Sequence, residues 1–325
     1  TAHGGVGGTG GNGGTLTVLV DAGDSSDAGY VFKTTDGPGV KAVSEGGDGG
    51  KGGKGTNQSG FHQGDGGEGG EGGKGGDVTV TLTDGDPFEI KSSDSAGLTL
   101  LSSGGDGAEA GEGLSDNTAT GGRGGAGGDG GDVTLLAQGG KKSISTTGTS
   151  VHGILAISEA GNGGEGGEGH GPDDGIGGNG GHGGTGGNVS ITYEGDITTT
   201  GDTAVGVLIQ SLGGAGGEGG PGKSWFDGNG GHANEPGPGG GASVDLKSGT
   251  ITTSGEQAVG ILIESVGGFA GSSGESDGFV AYGANGESGG DGGTVSATLE
   301  DYSIDTAGDY AVGLIAASIG GGGGT

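Results

Sequence analysis

A six-residue segment that opens on glycine and closes on serine recurs along the chain as GVKAVS, GLTLLS, GILAIS, GVLIQS, GILIES and GLIAAS. Its glycines are Gly39, Gly97, Gly153, Gly206, Gly260 and Gly313, spaced 58, 56, 53, 54 and 53 residues apart. Its serines, Ser44, Ser102, Ser158, Ser211, Ser265 and Ser318, keep nearly the same step. A fixed period of this length commits a chain to stacked units, each burying its apolar face only against its neighbours.

Two further anchors precede the segment in each unit. One alternates apolar and polar residues: Leu16-Thr17-Val18, Val78-Thr79-Val80, Val133-Thr134-Leu135, Val189-Ser190-Ile191, Val244-Asp245-Leu246 and Val295-Ser296-Ala297. Such alternation with β-branched enrichment predicts half-buried strands. The other is a short strand ending at a glycine turn, starting at Ile144, Ile197, Ile251 and Ile304, with Phe88 or Ile90 in that place in the second unit. No stretch carries the 3.6-residue period of a helix.

Three strands per unit in near-even register predict an all-β chain, a right-handed parallel β-helix of about six rungs. The rungs fall at about 15–45, 77–103, 132–159, 188–212, 243–266 and 294–319 of a single array over 1–325. At 4.7–4.9 Å per rung the stack is about 30 Å tall. Its expected core stack is Val40, Leu98, Ile154, Val207, Ile261 and Leu314, beside Ala42, Leu100, Ala156, Ile209, Ile263 and Ala316.

Glycine-rich inserts separate the rungs at 46–76, 104–131, 161–187, 213–242 and 267–293. Of 325 residues 102 are glycine, yet collagen is excluded because the triplet is Gly-Gly-X and there are only 6 prolines. Each insert reads as two glycine arms around a non-repetitive tip, the third as 161–170 and 177–187 about Pro172-Asp173-Asp174. Period three matches the polyglycine-II helix, of polyproline-II type, whose two bare edges let arms approach and bond backbone to backbone. The expectation is paired arms packed beside the strands, with Asp48, Lys51, Lys54, Glu68, Glu71, Lys74, Glu165, Glu168, Asn179 and His182 on the solvent edge. The competing reading is a flexible linker, because glycine loses the most backbone entropy on ordering.

Charge and composition exclude several functions. Eleven basic against 42 acidic residues give a net charge of −31, with Arg123 the single arginine. Nucleic acid and anionic membrane surfaces are therefore poor partners, since both select for basic patches, and the longest apolar stretches, such as 204–209, fall far short of a membrane span. Without cysteine there is no thiolate nucleophile or disulfide. The carboxylates sit mostly in glycine tracts where nothing raises one partner's pKa, so no catalytic residue is assigned and no enzyme is expected. Gly124–Gly131 fits the calcium nonapeptide only superficially, and His170 and His182 lack a third ligand. No cofactor or metal is assigned beyond weak divalent cation binding by the acidic edges.

Candidate contacts lie at the insert tips, where Phe61, Trp225, Phe226, Phe279 and Tyr282 could meet sugar rings or other chains, or anchor their own loops. The pairs Thr34-Thr35, Thr146-Thr147, Thr198-Thr199 and Thr252-Thr253 are expected to stack as an outward ladder.

The run ITTTGDTAVGVLIQS leading into glycine tracts and then GGNVSI resembles the glycine-rich passenger repeats of bacterial autotransporter adhesins. That resemblance spans nearly the whole chain, most clearly 188–324, and carries no catalytic residues. It implies an extracellular or cell-surface β-helix serving in adhesion or a biofilm matrix. The leader, outer-membrane barrel strands and C-terminal anchor of a complete family member are not seen in this sequence. The chain opens within a second arm, 4–14, and closes within a first arm, 320–324, so its ends are expected to meet sequence of the same kind. The expected partner is thus the protein itself, in a longer chain or stacked head to tail, with surface polysaccharide a further candidate. A structural or adhesive fibre is the leading expectation. An ice-binding or polysaccharide-binding flat surface is the alternative, and a carbohydrate-active enzyme the least favoured.

Overall fold

Alternating apolar residues put one face of each strand inward, and the same arrangement recurs in every unit. A computed structural model describes residues 1–20, 30–57, 63–83, 88–140 and 142–325. Among them the chain is all-β without helices, and its paired strands run parallel in stacked sheets.

The first anchors form Leu16–Val20, Val78–Leu82, Val133–Ala137 and Val189–Glu194. The second anchors form Tyr30–Thr34, Phe88–Ser93, Lys142–Thr147 and Asp196–Thr200. Two long strands, Ala242–Ser254 and Val295–Ala307, run through both sets, so all ten join one sheet that curls like a half-barrel. The third anchors, Val40–Glu45, Leu98–Ser103, His152–Glu159, Val205–Leu212, Val259–Val266 and Val312–Ile319, form a separate six-stranded sheet facing the same core.

Residue-to-residue register holds over all six units. Val40, Leu98, Ile154, Val207, Ile261 and Leu314 are successive partners in the third-anchor sheet. Leu98, Ile154, Val207 and Ile261 are fully buried, Val40 is partly buried against them, and Leu314, in the last unit, is 39% exposed. The second unit's open alternative falls to Ile90, which pairs with Ile144 and Phe32, whereas Phe88 sits opposite Tyr30 and Lys142.

Two expectations shift. In the fifth unit Ala242-Ser243-Val244 lies opposite Val189-Ser190-Ile191, so the first anchor starts two residues before Val244. A two-residue slip keeps every side chain on its face, so the alternation alone could not resolve it. The threonine pairs do not both point outward. Thr146, Thr199 and Thr253 are buried in register, while their neighbours Thr147, Thr198 and Thr252 are exposed, as a period of two requires.

The turn after the second anchor needs glycine. Gly148, Gly201, Gly255 and Gly308 have φ of 134°, 143°, 142° and 134°. A Cβ on Gly201 would lie 2.0 Å from the Gly148 carbonyl oxygen of the preceding unit. Sequence marked this turn correctly, because a left-handed backbone in close contact admits no other residue cheaply.

The inserts form two layers of extended arms whose backbone bonds recur every third residue. Within a layer the first residue of each triplet donates to the next unit: Gly107 to Asn162 at 2.8 Å, Ala110 to Glu165 and Gly113 to Glu168. Between layers the second glycine donates antiparallel: Gly161 to Gly128, Gly164 to Gly125 and Gly167 to Gly122. Asp48, Lys51, Lys54, Glu68, Glu71, Lys74, Glu165, Asn179 and His182 are exposed, and Glu168 is half-buried.

The tips differ from expectation. Their side chains do not repeat, yet their backbones do. They form a five-stranded sheet of Gly55–Asn57, Gly113–Ser115, Gly169–His170, Gly222–Lys223 and Ser276–Asp277. Beside it lies a six-stranded sheet of Ala2–His3, Gly64–Asp65, Thr118–Thr120, Asp174–Ile176, Asp227–Asn229 and Val280–Tyr282. The arms deliver each tip in register with the last, so pairing continues whatever residues are present.

A Cβ on Gly180 would lie 2.1 Å from the Gly217 oxygen, and one on Gly183 2.1 Å from the Gly214 oxygen, whereas Gly8 faces open space. Gly180→Val or Gly183→Val is expected to strip hydrogen-exchange protection from the amides of Gly178, Gly181 and Gly184, at a cost of about 1–3 kcal/mol. Gly8→Ala is expected to leave that protection unchanged.

Candidate functional site

Three features of the surface and its supports have functional content: a serine-glycine seam, edge ladders on the arms, and the tips.

The seam explains why the recurring segment ends in serine. Ser158 Oγ donates to the Gly131 carbonyl at 2.8 Å and accepts the Gly187 amide at 2.9 Å. Ser102 and Ser211 repeat this with Gly76 and Gly131, and with Gly187 and Gly240. Ser44 and Ser265 complete the line from Gly14 to Gly293. Each hydroxyl thus ties a strand end to two successive arms in a one-directional chain of bonds. The preceding glycines have the matching role, since a Cβ on Gly75, Gly130 or Gly239 would meet the serine oxygen at 2.5 Å. Ser158→Ala leaves a carbonyl and an amide unpaired, so a loss of about 1–3 kcal/mol in denaturant unfolding is expected.

On the arm edges, carboxylate and amide side chains accept the third amide of the triplet one unit on. The amides of Asp106, Asn162 and Ala215 donate to Asp48, Asp106 and Asn162 at 2.9, 2.7 and 2.8 Å. Asp77, Asp132 and Asn188 make a second ladder to Asp132, Asn188 and Gly241. Cations offset part of the acidic stack, Lys51 with Glu109 at 2.7 Å and Lys74 with Asp129 at 2.6 Å. Hydrogen bonding to those partners raises both lysine pKa values. Burial alone would raise the Asp129 pKa, but Lys74 and the Thr185 amide together hold it below the usual value. A depressed carboxylate contributes stability above its unfolded pKa and loses it as pH falls through the folded one. Acid is therefore expected to loosen this edge, and Asp129→Asn to weaken that dependence, read by amide exchange below pH 4.

The tips place the aromatic candidates at the surface: Trp225 is 80% exposed, Phe226 65%, Phe279 89% and Tyr282 62%. Phe61 lies outside the described residues. Pairing of Asp227 with Val280 sets Phe226 and Phe279 in successive units, with the Val280 amide donating to the Phe226 carbonyl at 2.8 Å. None of the four anchors a loop by burial. Beside Trp225 a shallow trough of about 230 Å³ is lined by Thr56, Asn57, Leu114, Ser115, Asp116, His170 and Pro172. Sequence reading missed it because its walls come from four inserts whose tip residues share no motif.

His170 and His182 are not brought together. His170 stands in the tip column opposite Leu114 and Lys223, whereas His182 borders a recess with Arg123, Glu68 and Glu71. His152 is half-buried, which lowers its pKa. Among the described residues no group of three or more His, Asp or Glu side chains could hold a metal ion. No helix among them is long and apolar enough to cross a membrane.

No protein-family model matches the chain, and no curated protein matches it. Among solved structures, one similarity is to the nine polyproline type II helical bundle springtail antifreeze protein from Granisotoma rainieri. It is 18% identical and covers 57% of this chain and 83% of that one, at a TM-score of 0.10. Nothing about fold or function follows from a score that low.

Proposed function

We propose that the chain is a right-handed parallel β-helix of six rungs flanked by two layers of polyglycine-II arms, and that it serves as a structural, adhesive fibre at the cell surface. Three parallel strand sets in unbroken register support the β-helix. Backbone bonds at every third residue, with two bare edges per turn, support the polyglycine-II assignment.

The observation that carries the fibre reading is the polarity of the stack. Within each layer the arm amides donate toward later units, so the two ends are complementary and unlike. At the late end the amides of Gly289, Gly292, Gly320 and Gly323 occupy donor positions without an acceptor among the described residues. At the early end the carbonyls of Val6, Thr9, Asn12, Asp48 and Lys51 have no donor among them. Apolar side chains are uncovered at the late end as well, with Leu299 41%, Leu314 39% and Ile319 45% exposed, against full burial of Leu246 and Ile261 one unit earlier. A heterologous, non-closing contact of this kind propagates into a filament. The complementary end is more of the same repeat, in a longer chain or in a second copy stacked head to tail.

The ice-binding alternative is less well supported, because the outward column through Thr198 and Thr252 begins with Lys33 and Lys91 and ends at Asp305. No catalytic group enters the proposal.

With a net charge of −31 on each copy, stacking is expected to strengthen between low and physiological salt as repulsion is screened. Leu314→Glu is expected to abolish it, by forcing an unpaired carboxylate into the contact. Light scattering across a concentration series, with electron microscopy of the product, reads both. A monodisperse monomer at high concentration in physiological salt would sink the stacking proposal.

A further inference from the structure

We propose that the tip trough is a binding site for an uncharged, extended pyranose oligosaccharide seated on the indole of Trp225. This names the partner for the adhesive part of the function proposed above, and rests on it.

The trough is assembled by stacking. Thr56, Leu114 and His170 are consecutive partners in the tip sheet, Asn57 and Ser115 pair beside them, and Asp116, Pro172 and Trp225 form the borders. Four inserts contribute, so at 4.7–4.9 Å per step the lined floor runs roughly 14 Å along the stack, the reach of a short oligosaccharide. Its volume of about 230 Å³ lies below the roughly 300 Å³ at which pockets enclosing small molecules begin. A shallow open trough suits a chain that lies along it and continues past both ends.

Trp225 is held ready to receive such a ligand. Its amide donates to the Pro172 carbonyl at 3.3 Å, and its carbonyl accepts the Phe279 amide at 3.2 Å. The neighbouring Ser224 Oγ accepts the Phe226 and Asp227 amides at 3.0 and 3.1 Å and lies 2.9 Å from the Asp173 carbonyl oxygen. The backbone is thus fixed on both sides while the indole stays 80% exposed. A large apolar ring on a fixed frame is a preorganised contact, which loses little entropy on binding.

The lining chemistry matches a sugar. A pyranose has an apolar face of C–H groups and a rim of hydroxyls, and an indole offers a flat electron-rich surface to the first. Carboxylate, imidazole and hydroxyl groups on Asp116, His170 and Thr56 offer both donors and acceptors to the second. Charge selects the class. Asp116 borders the trough, Asp173 is next to Pro172, and Lys223 is engaged by Glu168 at 2.8 Å. Together with the net charge of −31 this field repels uronic-acid and sulfated glycans and leaves uncharged ones.

Trp225 is the only tryptophan, so intrinsic fluorescence reports on the site directly. The full chain is titrated with β-1,4-linked tetrasaccharides of glucose and of N-acetylglucosamine, and with a heparin tetrasaccharide as the polyanionic control. A saturable change in emission with at least one uncharged probe and none with heparin is expected. Calorimetry is then expected to show at least tenfold weaker binding for Trp225→Ala, near-normal binding for Trp225→Phe, and at least threefold weaker binding for Asp116→Ala. Tyr310→Ala, at a comparably exposed aromatic in a turn away from the tips, is expected to bind as the unaltered chain does. No response to either uncharged probe, preference for heparin, or undiminished binding by Trp225→Ala would each overturn the site. Light scattering on the same samples separates the two proposals, since Trp225→Ala is expected to stack normally. An unaltered chain that stacks but binds neither uncharged probe refutes the trough alone, and one that binds but does not stack refutes the fibre alone.

Discussion

The structure depends on backbone atoms approaching where a Cβ would stand. Across the arms an added Cβ would lie about 2 Å from a carbonyl oxygen, as at Gly164 against Ala108 and Gly217 against Gly164. That approach lets one triplet donate along its own layer and across to the other, and both directions are used throughout the inserts. A main-chain hydrogen bond contributes only about 0.5–1.5 kcal/mol net. Their number and regularity, set against the large entropy cost of ordering glycine, must supply what a conventional core would. The strand stack has such a core, narrow and lined by single columns, and the serine seam couples it to the arms.

That coupling makes the tips possible. Arms leaving the third strand set in register carry their register outward, so short tip segments pair although their sequences differ. Varied side chains on an invariant backbone are the arrangement expected of a recognition surface, with the scaffold as fixed support. The exposed ion pairs along the arm edges contribute little individually. The Asp and Asn ladders have a more definite role, since they accept amides that the triplet geometry leaves pointing outward.

Much of the architecture was legible in the sequence, because the period, the alternating anchors and the glycine turn each reflect a local steric rule. Gly148 and Gly201 fall where the backbone enters a left-handed region, and the alternation sends Val78, Val80 and Leu82 inward. What escaped depended on neighbours. The first anchor of the fifth unit was placed two residues late because a slip of two preserves the pattern. The threonine pairs were read as one surface, although adjacent residues on a strand must face opposite ways. The closing serine was visible as a repeat, but its purpose was not, since its partners Gly131 and Gly187 lie 27 and 29 residues away.

The sequence by itself determined the unit, its strand faces and the triplet spacing of the arms, since these follow from side-chain alternation and from glycine's missing Cβ. Tertiary structure alone decided which arm meets which, how the tips pair, and that Thr56, Leu114, His170 and Trp225 converge on one trough. Those four come from separate inserts whose tip residues share no motif, and only the axial stacking of units, fixed by backbone hydrogen bonds between residues more than fifty positions apart, brings them together.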